Sequence, residues 1–438
     1  MLSQRLAHWM GRRGFHYGWV VAAVTFLTAL SSSAALGLPG ALLQPLSQEF
    51  GWSVDQISTA LAVRFALFGL MGPFAAILIE RFGLRQIMVV ALTLIATGLA
   101  LVRQVTAFWQ LVVLLGFVLG IGSGMTALVL NALVANRWFD GRRGLVMGVL
   151  TASSATGQLI FLPIGTWLIG QGGWRMALLP VMAVCVLVAI AAFLLVRDHP
   201  QELGIAPYGA KADTPVVVPA RLPVSITTPF TTLASVRTDR VFWILFGTFF
   251  ICGLSTNGLI QSHFISLCGD AGLGAVPAAS VLAMMGAFDL VGTILSGWLS
   301  DRYDSRYLLF CYYGLRGLSL AWLPSADFTL TGLSLFAIFY GLDWIATVPP
   351  TVRLAAQAYG RERAALVFGW VFAGHQLGAA VAAWGAGHIR TVTFTYSPAV
   401  YVAAAACGIA ALLALMARRR TSGVSGSAAL ATPPAPAA

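Results

Sequence analysis

The chain has 438 residues, of which 58% are hydrophobic and only 9% charged, with a formal net charge of +11. That balance excludes an ordinary soluble domain, and arginines that come in short clusters between apolar runs are a topology signal, not a nucleic-acid-binding stripe. No Ser/His/Asp, nucleotide or metal-ligand pattern with workable spacing is found, and Cys185, Cys252, Cys268, Cys311 and Cys407 stand singly in apolar segments, so no enzyme activity, cofactor or metal is expected.

Residues 1–16 form a cytoplasmic segment in which Leu2, Leu6, Trp9 and Met10 share one helical face, suited to lie along a membrane surface. Arg12 and Arg13 before an apolar run resemble an export signal. The run is too long for one and eleven more follow, so a retained first helix is expected. Runs long enough to cross a hydrocarbon core of about 30 Å predict twelve helices at 17–46, 57–79, 87–102, 108–136, 144–169, 176–196, 241–268, 279–299, 307–323, 328–353, 364–387 and 398–417. They divide into an N-terminal half, 17–196, and a C-terminal half, 241–417. Between them, 197–240 carries Pro200, Pro207, Pro215, Pro219, Pro223 and Pro229 and reads as a cytoplasmic linker; the Ser/Gly/Ala/Pro-rich tail 418–438 is expected to be disordered. Alternating the loops puts 20 of the 26 Lys and Arg on the side of the N-terminus and three, Arg103, Arg175 and Arg390, on the other. Both termini are therefore expected in the cytoplasm. Trp19, Trp52, Trp109, Trp138, Trp174, Trp298 and Trp322 fall near span ends as interfacial anchors.

Several landmarks recur at one offset. Asp301 lies 221 residues after Glu80, and the same spacing joins Arg142 to Arg363, Gly148 to Gly369 and Gly157 to Gly378. A shared offset argues for two similar halves. The acid–base loops at the two copies, ERFGLR (Glu80, Arg81, Gly83, Arg85) and DRYDSR (Asp301, Arg302, Arg306), resemble the helix 2–3 motif of the major facilitator superfamily, with Ala76 and Asp304 standing where two of its glycines belong. Within that superfamily the stretches YGWVV, FGWS, NRWFDGRRGLVMG and FDLVG resemble the monocarboxylate-porter branch and its bacterial relatives, although Thr293 occupies the place of that branch's helix 8 arginine. The resemblance implies an all-α, twelve-helix membrane fold in two six-helix repeat halves. It also implies that the two acid–base loops act as conformational latches, breaking and re-forming as the halves rock.

Charged groups deep in a bilayer cost several kcal/mol unless paired, hydrated or used, on insertion scales of roughly 2.5–3.5 kcal/mol each. Asp289 lies near the midplane and is the leading candidate for proton coupling, with a salt bridge to Arg316 as the alternative; His375, beside Gln376 in helix 11, is a second candidate. Arg316 and Asp343 are candidates for an intramembrane ion pair of structural value. Arg64 has no acid at similar depth in its half and can bind a carboxylate in bidentate fashion. Asn131, Asn257 and Gln261 lie on helices of the kind that line a central cavity and add specificity contacts. Pro349 and Pro350 force a local bend in helix 10, read as a hinge or a static kink, and Gly116, Gly120, Gly122 and Gly124 let helix 4 pack closely.

The expectation is a monomeric secondary transporter in a bacterial inner membrane, moving a small organic anion, a carboxylate, by alternating access with proton symport. Its partners would be that substrate, protons and the lipid bilayer, with no nucleic acid. Drug or metabolite efflux by proton antiport is the rival, and a non-transporting receptor with a transporter fold is a rival of another class.

Overall fold

The computed structural model describes residues 2–126, 128–211, 216–217 and 225–417. The expected tail 418–438 lies outside the described residues, as does Arg221. Eleven helices are long and apolar enough to cross a membrane: α1 (Gly18–Phe50), α2 (Val54–Phe82), α3 (Leu84–Val102), α4 (Phe108–Trp138), α5 (Arg143–Gly172), α6 (Trp174–Leu195), α7 (Arg240–Asp270), α8 (Ala275–Arg302), α10 (Leu330–Tyr359), α11 (Arg363–Thr393) and α12 (Ser397–Leu415). The twelfth, α9 (Ser305–Trp322), falls below that apolar threshold because Arg306 and Arg316 lie within it. Among the described residues no strand is formed, and the architecture is all-helical.

The repeat extends to every helix. Val54 to Ala275 and Leu84 to Ser305 keep the offset of 221, and the remaining starts of the second half fall within two residues of it. Each half is therefore the same six-helix unit, which a single hydrophobic seam cannot hold to the other without close backbone contact. Three pairs carry that contact: α2 with α11, α5 with α8, and the later part of α1 with α7. The α1–α7 closure sits at the end of the molecule where α1 finishes, called the far end. There a Cβ on Gly40 would lie 2.7 Å from the Gln261 carbonyl oxygen, and Gly40 and Gln261 are equivalent positions of the repeat. The opposite, basic end carries the arginine-rich loops after α2, α4, α8 and α10. Here Gly144 and Gly148 of α5 face open space, and α4 and α10 are not among the pairs that pack across the halves. The halves are thus in close backbone contact at the far end.

The four glycines of α4 serve packing. Gly116, Gly120 and Gly124 abut α2 through Val63, Arg64 and Met71, while Gly122 abuts Ile95 of α3. Two tryptophans expected at the membrane surface pack inward instead: Trp138 is fully buried against Tyr17, and Trp174 is buried with its indole donating to Glu49 over 2.6 Å. Between the halves, the chain after α6 folds back on the N-terminal half. Tyr208 N donates to the Trp138 carbonyl (2.9 Å), and Asp140 N and Gly141 N donate to the Tyr208 carbonyl. A short helix, Thr228–Val236, then belongs to the other half: Trp370 Nε1 donates to the Pro229 carbonyl (2.9 Å) and Arg363 to Ser235 Oγ (2.8 Å), with Phe230 also reaching Phe74 of α2.

In the second half α7 and α11 approach closely: a Cβ on Gly378 would stand 1.9 Å from the Phe250 carbonyl oxygen. Gly378→Ala is expected to push the helices apart at a cost of about 1–3 kcal/mol, lowering the melting temperature in detergent. Gly385→Ala, where a Cβ meets nothing within 4 Å, serves as the control and should leave it unchanged.

Candidate functional site

The site is built around an interruption in α10. Pro349 and Pro350 have no N–H, so the helix cannot run continuously through them; it stops at Asp343 and resumes at Val348. In hydrocarbon the freed groups need partners, and two neighbouring helices provide them. Ile345 N donates to Asp289 Oδ1 of α8 (2.8 Å), and the Ala346 carbonyl, orphaned by Pro350, accepts from Ser296 Oγ of α8 (2.5 Å). Arg316 of α9 donates from Nη2 to the carbonyls of Asp343 and Trp344, the latter at 3.2 Å. The expected hinge prolines thus form the first turn of the second segment, and the interruption lies just ahead of them.

Arg316 is fully buried and makes its ion pair with Asp343, Nε to Oδ2 at 2.6 Å. Its Nη1 donates to Cys252 Sγ at 2.9 Å, and its guanidinium lies 5.6 Å from the Tyr313 ring centre. Asp289 does not bridge to Arg316. Its Oδ1 accepts from Ile345 N and, at 3.1 Å, from Thr293 Oγ1, so the carboxylate is held by two dipoles and not by a cation. Thr293, which stands where the resembled branch carries an arginine, here orients the acid.

Arg64 has the opposite environment. It is 1% exposed, and its Nε and Nη1 have no hydrogen-bond partner; what it touches is the Phe65 ring, 4.6 Å away. In the register of the repeat its counterpart is Met285, one helical turn before Asp289. The unpartnered Arg64 and the uncompensated carboxylate of Asp289 therefore stand on equivalent helices of the two halves, at depths about 6 Å apart.

The remaining candidates divide. Asn131 is buried and donates to the Leu150 carbonyl of α5 (3.0 Å), while its Oδ1 has no partner. Asn257 is half-buried in a π-helical stretch of α7, Leu254–Gln261, and its carbonyl accepts from Ser262 Oγ. Gln261 sits at the α1–α7 closure: the Cβ position of Gly37 is 3.7 Å from its Nε2 and 3.2 Å from Cγ of Gln158 on α5, a residue the sequence reading did not single out. His375 lies between the Phe249 and Phe372 rings, with Nδ1 lacking a hydrogen-bond partner. Cys252, Ser255 and Ser296 were also missed as partners, because a lone thiol or hydroxyl in an apolar run carries no spacing signal.

Glu80 and Asp301 pair across helices. Glu80 binds Arg137 of α4, and Asp301 lies 3.6 Å from Arg353 of α10. Adjacent residues on a helix point about 100° apart and do not face each other. Arg302 instead covers the Trp298 ring at 3.9 Å, and Arg306 pairs with Asp304 at 2.8 Å. Gly83, at φ 94°, leaves room for Asp198, whose Oδ1 accepts from Arg85 N (3.1 Å); a Cβ there would meet Asp198 Oδ2 at 2.2 Å. Both acid–arginine pairs stay within one half.

Two repeated six-helix units around a polar midplane, with an unpaired guanidinium and an interrupted helix, define a multi-pass membrane transporter. Residues 21–383 match the Major Facilitator Superfamily, and the chain belongs to that family. It is 24% identical over 409 residues to the MFS-type transporter YcxA of Bacillus subtilis (91% of this chain, 94% of the relative). It is 26% identical over 393 residues to monocarboxylate transporter 13 of Rattus norvegicus (89% and 86%). Its fold resembles that of a bacterial homolog of the human lysosomal transporter Spinster in an inward-facing and occupied conformation, with a TM-score of 0.68 at 16% identity, covering 92% of this chain and 97% of that one. These relatives are transporters and not enzymes.

Removing the cation that serves the α10 interruption should be severe. Arg316→Met leaves Asp343 buried and unpaired, and a loss of about 3–5 kcal/mol is expected. Arg316→Met with Asp343→Leu should recover less than half of it, because the two carbonyls still lack a donor. Thermal melts of the single and double variants check this; full recovery would mean that the ion pair, not the backbone, is what Arg316 serves.

Proposed function

We propose that the protein carries a small organic anion, a monocarboxylate, together with a proton, with the basic end in the cytoplasm of a bacterial cell. The observation that carries the reading is the buried guanidinium of Arg64 with two unpartnered nitrogens. A buried cation without a counter-charge is unfavourable, and a carboxylate accepting two parallel N–H bonds relieves that state. Arg64 stays charged throughout, so it selects for the anion and not for the proton.

The proton goes to Asp289. It has no cationic partner to hold it ionised, and the N–H of Ile345 and the hydroxyl of Thr293 that it accepts from are also compatible with a protonated carboxyl, whose second oxygen carries the proton. Substrate and proton then neutralise the two halves' central charges together, which favours rocking of the loaded protein over that of a singly loaded one. His375, with its unpartnered Nδ1, is a second station for the proton. The 26% identity to monocarboxylate transporter 13 supports the cargo class. The arginine-rich loops support the orientation.

The test is uptake of a panel of labelled monocarboxylates into proteoliposomes, with and without an inward proton gradient. Arg64→Gln is expected to lower both uptake and exchange about 100-fold, the worth of a charged bidentate contact of about 3 kcal/mol. Asp289→Asn keeps an oxygen for the Ile345 N–H, so it removes the proton without removing the helix cap. It should abolish gradient-driven accumulation and retain exchange. No monocarboxylate uptake by folded parent protein would sink the reading and favour efflux of apolar cargo.

A further inference from the structure

Each ion pair described so far stays inside one half, as does Arg390 with Asp270 (2.6 and 2.9 Å, α11 to α7) and Arg175 with Glu49 (2.7 Å, α6 to α1). A rigid half carries such pairs through the transport cycle unbroken. One contact differs. At the far end, Asp55 in the first turn of α2 faces α11 of the other half, with Oδ2 3.9 Å from His388 Nδ1 and Oδ1 3.4 Å from the Thr391 hydroxyl that donates to it. Beside it the helices stay close: a Cβ on Gly387 would lie 2.3 Å from the Ser58 hydroxyl and 3.2 Å from the Val54 carbonyl oxygen. The His388 ring is kept in place by stacking on Trp384, with centroids 5.3 Å apart and planes at 9°.

We infer that Asp55, His388 and Thr391 form the far-end gate of the transporter, and that protonation of His388 tightens it. Opening the far end must separate α2 from α11 at this point, so whatever Asp55 gains from α11 is lost in each outward-open state. Neutral imidazole gives the carboxylate no charge partner; imidazolium does. Imidazoles gain their proton as pH falls from about 8 to about 5, so the closed state is favoured by acid on the side that this end faces. The other charged or titratable groups on the elements packed at this end are Asp270 with Arg390 and Glu49 with Arg175, which neutralise each other in pairs, and His263 of α7, which is buried and bonded to the Ala383 carbonyl of α11 and to Tyr396. Both gate side chains are partly exposed, 50% for His388 and 29% for Asp55, so the effect is modest, about two- to fivefold in the ratio of closed to open, as befits a hydrated pair.

Under the proposed orientation the far end faces outward, and the gate opposes the symport reaction as the outside acidifies. Coupling pulls substrate in with protons, and the latch restrains reopening when protons are abundant. The inference about the gate itself does not need the substrate or the coupling to be right.

The experiment is therefore made without substrate. Spin labels are placed at Gln48→Cys and Val392→Cys, on opposite sides of the far end, in a Cys311→Ser background in nanodiscs, and the distance distribution is recorded at pH 8 and pH 5. The parent is expected to show about a two- to fivefold rise in the short-distance population at pH 5. That rise should vanish in both His388→Gln and Asp55→Asn, each of which keeps a side chain of similar shape. A rise that persists in the two variants, or its absence from the parent, would overturn the inference. Loss of proton-coupled uptake with an intact pH-dependent distance would instead count against the symport reading alone.

Discussion

The structure depends on one constraint: a backbone interrupted inside hydrocarbon must find every hydrogen-bond partner within the protein. Two prolines interrupt α10 at mid-depth, and the freed groups are taken up by an acid and a hydroxyl of α8 and by a guanidinium of α9. Asp289, which looks like transport machinery in the sequence, is thereby drawn into architecture. The second carboxylate oxygen of Asp289 is not consumed by the cap. An acid bonded directly to the backbone of an interrupted helix also ties its charge to the position of the helix segment that follows, Val348–Tyr359.

The two central arginines make the distinction plain. Arg316 donates to a carboxylate, two carbonyls and a thiol, whereas Arg64 leaves Nε and Nη1 without acceptors in an equally dry place. Burial is the same; saturation is not. The first is saturated, and the second has donors to spare. Depth in the membrane, which is all that hydropathy reveals, does not separate them.

That contrast also explains how far the sequence could be read. The repeat was legible because Glu80 with Asp301 and Gly157 with Gly378 share one spacing, and helices α2 and α3 keep it to the residue in α8 and α9. The family was legible from the acid–base loops. Within the site, the candidates on α2, α8 and α9 were visible as isolated charges, but which ones meet was not, since Asp289, Asp343 and Arg316 lie within one turn or so of a common depth and only side-chain direction decides. Glu80 and Asp301 were read with their chain neighbours, although helical geometry turns those neighbours away and offers Arg137 and Arg353 instead. Asp55 and His388 drew no notice because they sit at span ends, where charges are ordinary.

The linker has a mechanical consequence. Its first part, through Tyr208, is bonded to the N-terminal half, and its helix from Thr228 is bonded mainly to the C-terminal half. Only residues 209–227 lie between these attachments, and nineteen residues can span at most about 65 Å. Each half carries its own portion of the linker as part of its surface and moves with it as one body.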